Sequence, residues 1–431
     1  MTLRTIFLAA LLLPATLAAQ APLTLNDAVR LGRARGVQGE IARLNARAAD
    51  RRAGEQTGAL LPNISASGAL SRQTNNLTEF GLAIPGFPPV TDPFTLYALR
   101  ARATQVLFDG SVLDRVRGGA AEAHAASYDA TAGADAAGQA AGLAWLRAVS
   151  AEETVRAREA DSVVAAELLR MAQQQLAAGA SAAIDVTRAE VNVAVIRGQL
   201  VEARNARAQS RLDLNRALFF PADTVIALAD TLDAGTTDLP SDEAGAVAFA
   251  MAHRPEMAAE RERTRAAALQ RSAVTWENLP SVAGFGQVNE SGIKADSLHY
   301  SWSVGLQVNV PIFDGLRRQR RAQEQSAKLD AQQFREKDLQ NAIAIEARSA
   351  LLDLTSAREA VEVAGVRLAL ATQELQQAEE RFRAGAAGSV ETSQAQLGLF
   401  SARDALIQSK VNLGSARVRA YRALGALDQM R

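Results

Sequence analysis

The 431-residue sequence contains no cysteine and only three histidines, at positions 124, 253 and 299. The absence of cysteine excludes disulfide bonds, thiolate metal sites, a cysteine nucleophile and a lipid-modified N-terminal cysteine. Three scattered histidines are too few for a typical zinc or iron centre, so we expect no metal and no cofactor. The 47 basic and 47 acidic residues cancel, which argues against a nucleic-acid partner bound by a basic face.

Aromatic residues are also scarce, at 5% of the chain, although 48% of the chain is hydrophobic. Alanine dominates that apolar fraction, which favours long helices packed closely on small side chains over a large globular core. The sequence has no GxSxG, HExxH, P-loop or dinucleotide-binding motif. We therefore expect no catalytic residues and do not interpret the protein as an enzyme.

Long apolar runs are missing everywhere except at the N-terminus. Residues 1–19 combine Arg4, an apolar core over 6–13 and small residues before an expected cleavage after Ala19. This pattern is typical of a secretory signal peptide and is too short for a transmembrane helix; an uncleaved anchor is the alternative. The rest of the chain has no run of about 18 uncharged apolar residues, so any membrane span in it must consist of strands.

Proline is absent from 94–220 and from every position after 311. Both stretches are rich in strong helix formers, and each is interrupted once, around Gly179 and around Gly385. The pattern predicts two helical hairpins in which the glycine ends one helix and a following serine, Ser181 or Ser389, caps the next. The first arm, about 112–178, would be on the order of 100 Å long at about 1.5 Å per residue.

The landmarks of the first half recur in the same order in the second half. Phe108-Asp109-Gly110 recurs as Phe313-Asp314-Gly315, and Gly179-Ala180 recurs as Gly385-Ala386. This order indicates a tandem duplication. The predicted domains are a signal peptide at 1–19, a first repeat at 20–218 with strands about 61–108 and a hairpin about 112–219, a linker at 219–240, and a second repeat at 241–431 with strands about 280–313 and a hairpin about 316–427. A helix of about 35 residues is expected to lead each repeat, at 24–58 and 241–276.

The two Asp-Gly pairs are predicted strand-to-helix turns. Asp109 and Asp314 each precede a glycine, Gly110 and Gly315, and glycine supplies the backbone freedom that such a turn requires. Past the second turn, the basic run at 317–321 fits either a contact with anionic groups at a membrane surface or a solvated helix face.

The extended segments have the pattern of strands with one apolar and one polar face. In 300–312 the even positions from Tyr300 and Trp302 onward are apolar, and the odd positions are polar or small. This period-2 alternation predicts a strand longer than the roughly 9–11 residues that cross a bilayer. Segment 61–73 alternates similarly, 94–108 more weakly, and 281–290 is ambiguous in register. Tyr300 and Trp302 fit membrane-interface aromatics or ordinary strand residues.

Four strands cannot close a barrel, and an open strand edge is not tolerated in lipid. The strands therefore form either a soluble four-stranded sheet or one part of a barrel shared by several chains.

Taken together, these features resemble the TolC-type outer-membrane efflux proteins, also called outer membrane factors. The resemblance rests on LTLNDAV at 23–29, VPIFDG at 310–315 and FRAGA with SVE at 382–391, and it covers essentially the whole mature chain. It implies a fold that is mainly α with membrane β: four transmembrane strands and long antiparallel helices per chain, three chains forming a 12-stranded β-barrel on an α-helical barrel.

The resemblance further implies a homotrimer in the cell outer membrane, with a long periplasmic portion. Such a duct contacts outer-membrane lipid and works with a periplasmic adaptor (membrane fusion) protein and an inner-membrane pump to export small molecules or drugs. A duct for type I protein secretion is an alternative within the same fold. A periplasmic coiled-coil scaffold or adaptor is an alternative of a different class.

The resemblance also suggests where the duct would be controlled. Acidic side chains just past the second hairpin tip ring the closed periplasmic entrance in this family; Glu391 falls on the first such position and Gln394 on the next, while Asp185 is the equivalent in the first repeat. An acidic residue in the first turn of a helix also interacts favourably with the helix dipole without any role in a gate. This is the interpretation that we prefer for Asp185. The expected adaptor-contact tips are Gly179, Ala180, Ser181, Gly385, Ala386 and Ala387.

Overall fold

The computed structural model describes residues 22–81, 86, 88–229, 239–240, 242–386 and 388–430. The predicted signal peptide at 1–19 lies outside them. The described residues divide into two compact units: unit 1 consists of those within 1–37, 134–243 and 348–431, and unit 2 of those within 38–133 and 244–347. Each unit therefore draws on both halves of the sequence.

The described chain is dominated by helices. The longest, α3 and α7, have 68 and 67 residues, and each is followed by a helix of 35 residues, as the proline-free stretches predict. None of the described helices contains a stretch both long and apolar enough to cross a lipid bilayer. The helices are α1 Leu25–Arg35, α2 Val37–Thr57, α3 Gly110–Ala177, α4 Ala183–Ala217, α5 Glu243–His253, α6 Pro255–Trp276, α7 Arg317–Arg383 and α8 Ser389–Ala423.

Each predicted leading helix is in fact two helices. The first is interrupted at Gly36, whose extended backbone (ψ 138°) ends α1 while its N–H still donates to the Gly32 carbonyl at 2.8 Å. The second is interrupted before Pro255, which has no N–H to continue the helical hydrogen bonds and restricts the residue before it; Arg254 is accordingly extended. Thr24 caps the start of α1, with its hydroxyl accepting from the Asp27 N–H at 3.1 Å.

Four antiparallel strands form one sheet in the order β1-β2-β3-β4 within unit 2. The strands are β1 Asn63–Gln73, β2 Phe94–Phe108, β3 Ser281–Lys294 and β4 Ser297–Asn309. The strand predicted at 300–312 begins earlier and stops at Asn309, shortly before Pro311, which cannot donate to a strand ladder. The register that was ambiguous for 281–290 is settled by β3 pairing with both neighbours, for example Val288 with Ala101 and with Trp302.

Small residues allow the helices to approach closely. Ala28, Ala141, Ala148, Ala246 and Ala250 are fully buried. At Gly32 a methyl group would lie 2.4 Å from the Ala141 side chain, so only glycine allows α1 and α3 to pack this tightly. The alanine-rich composition thus leads to the close helix packing that it predicts.

A buried cluster of charges joins α3 and α8 in unit 1. Asp161 has no exposed side-chain surface; it accepts hydrogen bonds from Arg158 at 2.6 Å and from Arg403. Arg158 also donates to Asp404. Burial raises the pKa of Asp161, against the lowering effect of Arg403 and Arg158. The carboxylate is thus held by charge partners on both helices.

Candidate functional site

The two hairpin tips have the same backbone geometry. In the first, Gly179 has φ +72° and the Ala180 N–H donates to the Gln175 carbonyl at 2.9 Å. In the second, Gly385 has φ +70° and the Ala386 N–H donates to the Arg381 carbonyl at 2.9 Å. This six-residue closure around a left-handed glycine is the Schellman motif that ends helices. The glycines therefore end the long helices, as the sequence pattern predicts.

The serines do not cap the following helices as predicted. The backbone N–H of Ala182, at the start of α4, donates to the Asp185 carboxylate at 3.2 Å, and Gly388 occupies the N-cap of α8. Ser389 instead donates its hydroxyl to Asp185. Asp185, at the beginning of α4, therefore both caps its own helix and contacts the start of α8.

Further contacts hold the two hairpins together near their tips. Gln175 Nε2 donates to the Phe382 carbonyl at 2.5 Å, and Asn192 Nδ2 donates to the Ser393 hydroxyl at 3.3 Å. The buried Phe382 ring lies in an apolar cluster with Leu168, Met171, Ala172 and Ala189. The tip region of unit 1 is thus one packed structure to which both hairpins contribute.

The candidate gate residue Glu391 has a charge partner within its own chain. Its carboxylate lies 3.2 Å from Arg381 Nε, and the Glu391 side chain is 44% exposed. Arg381 belongs to the last turn of α7, and the tip turn brings it opposite the first turn of α8. The sequence analysis missed Arg381, because only the turn geometry places it next to Glu391. Gln394, one turn further along α8, is exposed.

The predicted tip residues are accessible in the single chain. Gly179, Ala180, Gly385 and Ala386 are exposed, and Ser181 is partly exposed. Ala387 lies outside the described residues. The tips therefore present small side chains and backbone.

The sheet in unit 2 has one apolar and one polar face. The register aligns side chains of all four strands, since paired residues project to the same side. The apolar face is exposed in the single chain; it carries Ile64, Leu70, Leu99, Val288, Tyr300, Trp302, Val304, Leu306 and Val308. The polar face carries Ser65, Ser67, Arg100, Arg102, Gln287, Asn289, Ser301 and Ser303. A large exposed apolar face of this kind marks a surface covered by a partner or by lipid.

The first strand-to-helix turn is capped by its aspartate. Asp109 Oδ1 accepts from the Ser111 N–H at 2.9 Å and from the Ser111 hydroxyl at 2.7 Å. Gly110 has no positive φ, so the predicted need for backbone freedom is wrong at this position. A methyl group there would lie 2.3 Å from the Trp276 ring, so Gly110 is required for close packing.

The second turn does require a flexible backbone, because Gly315 has φ +72°. Asp314 caps the start of α7 by accepting from the Arg318 N–H at 3.1 Å and from Arg318 Nε at 2.9 Å. Although burial acts to raise it, the pKa of Asp314 is lowered by these hydrogen bonds and by the charge of Arg318. Arg318 is buried and Arg321 pairs with Glu277 at 2.5 Å, so two arginines of the basic run are held by contacts within unit 2.

No group of three histidine, aspartate or glutamate side chains that could hold a metal ion occurs in the part of the chain that the structure describes. The features that remain as candidates for function are the two-faced sheet and the paired hairpin tips.

Comparison with known proteins relates this arrangement to a family. The sequence profile of the family described as "Outer membrane efflux protein" matches residues 40–218 and 247–426. No curated protein sequence matches the chain significantly.

Solved structures of similar fold include three outer-membrane channels. OprN is 20% identical, with a TM-score of 0.81, over 93% of this chain and 90% of OprN. CmeC of Campylobacter jejuni is 18% identical, with a TM-score of 0.81, over 93% and 85% of the two chains. MtrE of Neisseria gonorrhoeae, solved in an open state, is 17% identical, with a TM-score of 0.79, over 94% and 89%. The likeness in fold extends over almost the whole length of each chain.

Proposed function

Because this chain belongs to the outer membrane efflux protein family, whose members are outer-membrane channels, we propose that three copies assemble into one duct that carries small molecules or drugs from the periplasm to the cell exterior. The predicted mainly helical fold with a four-stranded sheet is confirmed by the fold that the chain shares with solved channels. Family and fold are those of channel proteins.

The proposal of a trimer depends on a single observation, which is that the sheet has two unpaired edges. In the described chain β1 pairs only with β2, and β4 pairs only with β3, so both edge strands leave backbone groups unpaired. An unpaired edge costs several kcal/mol per group in hydrocarbon, and only closure removes it. Copies of the same chain supply matching edges, and three copies give the twelve strands that the family resemblance implies.

Unpartnered apolar stripes on the helices support contacts between copies. Ile184, Val191 and Val195 are exposed on α4 at spacings of seven and four. Val363, Val366 and Leu370 are exposed on α7 at spacings of three and four. Such spacings place each set on one helix face, which is the pattern of a helix that packs against a neighbour. Tyr300 and Trp302 on the apolar sheet face are proposed membrane-interface aromatics.

The mass of the intact particle tests this proposal. After detergent extraction from membranes, native mass measurement is expected to give three times the mass of the mature chain, and carbonate washing is expected to leave the protein in the membrane. A soluble sheet or a periplasmic scaffold predicts release by carbonate and a monomeric mass, and either result would refute the shared barrel.

The hairpin tips are the proposed contact with a periplasmic adaptor, which connects the duct to an inner-membrane pump. Support comes from the exposed small residues Gly179, Ala180, Gly385 and Ala386 and from the matching closure of the two tips. We also propose that the two halves, 20–218 and 241–431, arose by duplication, since the family profile matches once in each half.

Glu391 is the proposed acidic residue at the periplasmic entrance. The positive charge of Arg381 partly offsets the negative charge of its carboxylate. Three copies would form a ring of carboxylates that attracts cations. Because divalent cations held by such a ring obstruct the entrance, Glu391→Gln is expected to weaken their block and so to raise single-channel conductance when magnesium is present. Arg381→Gln leaves the carboxylate without its partner at 3.2 Å and is expected to strengthen that block.

Planar-bilayer recordings with and without magnesium measure both effects. The opposite responses of the two variants separate a charge effect from a general disturbance of the tip. If both variants have the conductance and the magnesium block of the parent protein, Glu391 does not belong to the gate. The proposed duct itself would not be affected by that result.

A further inference from the structure

We infer that Arg100 and Arg102 make the barrel interior favour anionic solutes, so that small organic anions are the substrate class that this part of the duct suits best. The inference rests on the proposed function, because the polar sheet face becomes a lumen only when the barrel closes. Neither arginine was assigned a role from the sequence pattern.

The strand register places both guanidinium groups on the polar face at the middle of the sheet. Arg100 aligns with Ser67 on β1 and Asn289 on β3, and Arg102 aligns with Ser65 and Gln287. The alignment continues to Ser301 and Ser303 on β4. Each arginine is therefore the one charged residue in a row that is otherwise polar and neutral across the four strands.

The contact partners of the two arginines do not neutralise the guanidinium charges. Arg100 Nε donates to Asn289 Oδ1 at 2.8 Å, which uses one of the five N–H donors of a guanidinium. The Arg102 guanidinium carbon lies 5.8 Å from the centre of the Phe285 ring, a cation–π contact. Both partners are uncharged, so these contacts position the guanidinium groups without neutralising them.

Acidic residues are absent from this face of the strands, all of which lie within the described residues. The positions that share the face with Arg100 and Arg102 carry serine, threonine, asparagine, glutamine, histidine, small or apolar residues and, at the far end of β3, Lys294 opposite Ser297. The acidic strand residue Glu290 aligns with Leu99 and Tyr300 and so belongs to the opposite face. Two uncompensated cations per chain thus become six around the lumen of a trimer.

Rings of like charge select ions of the opposite sign in a pore. The reach of such charges depends on salt, with a Debye length of about 30 Å at 10 mM and about 3 Å at 1 M. Their effect on selectivity should therefore be strong in dilute salt and weak in concentrated salt.

Reversal potentials across planar bilayers test the inference. In a dilute KCl gradient, the double variant Arg100→Gln/Arg102→Gln is expected to lower the ratio of anion to cation permeability about two-fold or more relative to the parent protein. The difference should disappear near 1 M salt. With organic ions, gluconate permeability is expected to fall while tetraethylammonium permeability rises.

Two variants control for charge and for fold. Arg100→Lys/Arg102→Lys keeps the charges and is expected to keep the parent selectivity. Arg72→Gln removes an arginine from β1 on the opposite face, where Arg72 pairs with Thr95, and is expected to leave selectivity unchanged. An open channel whose selectivity is the same in the glutamine and parent proteins would overturn this inference alone. Failure of the parent protein to form a channel would overturn the proposed duct and this inference with it.

Discussion

Replacing Val304 by arginine is expected to prevent stable insertion of the protein into the outer membrane. Val304 lies near the middle of β4 on the apolar face, pairs with Gly286, and is 72% exposed in the single chain. In a closed barrel this side chain faces lipid, where arginine at mid-depth costs about 2–4 kcal/mol per chain. That cost corresponds to about 30-fold or more in the insertion equilibrium at about 1.4 kcal/mol per ten-fold, and it applies to every copy.

Ser303→Arg is the matched control, since Ser303 lies on the polar face of the sheet, which faces the lumen in a closed barrel. The new arginine would lie two strands from Arg102 in the same row. At a separation of about 10 Å in water, the two charges repel by about 0.4 kcal/mol, far less than the cost on the lipid face. The measurement is the amount of intact oligomer recovered in detergent from carbonate-washed membranes. Equal recovery of both variants would contradict the assignment of the two sheet faces.

Trp145→Ala is expected to cause the largest loss of stability in unit 1. Trp145 is 2% exposed and lies in a part of α3 where Ala144, Leu146, Ala148 and Val149 are also buried. Its Nε1–H donates to the Leu23 carbonyl at 2.8 Å. Removing a buried tryptophan side chain leaves a cavity and costs about 3–5 kcal/mol. Urea and thermal unfolding of the detergent-purified protein, followed by circular dichroism, measure this loss.

Leu23, which accepts this hydrogen bond, also pairs with a distant segment of the chain. The Leu23 carbonyl accepts from the Ala229 N–H at 3.0 Å, and the Leu23 N–H donates to the Ala227 carbonyl at 2.8 Å. Trp145→Phe keeps most of the apolar volume and loses only the donor, so it is expected to cost about 1 kcal/mol. If the alanine variant proves no less stable than the phenylalanine variant, the packing role assigned to Trp145 is wrong.

Features with a local cause could be predicted from the sequence. Proline-free, alanine-rich stretches predicted the two hairpins because helix propensity and the exclusion of proline act within a few residues. Gly179 and Gly385 were located correctly for the same reason, since a left-handed backbone at a helix end favours glycine. The alternation in β4 predicted its apolar face because side chains of a strand project to opposite sides in turn.

Features that depend on distant residues could not be predicted in this way. The turn around Gly385 places Arg381 opposite Glu391, and packing of the two hairpins brings Ser389 to Asp185. Gly110 was assigned to backbone freedom, whereas the Trp276 ring is what requires glycine there. In each case the decisive partner belongs to another turn or another element.

The sequence by itself therefore determined the elements: which segments are helices, where the hairpins turn, and which face of the clearest strand is apolar. These properties follow from backbone geometry and side-chain periodicity over short distances. Only the tertiary structure decided which side chains meet, including the alignment of Arg100 and Arg102 with neutral residues of three other strands. Pairing across about two hundred residues depends on the register and packing of the folded chain, which local periodicity does not encode.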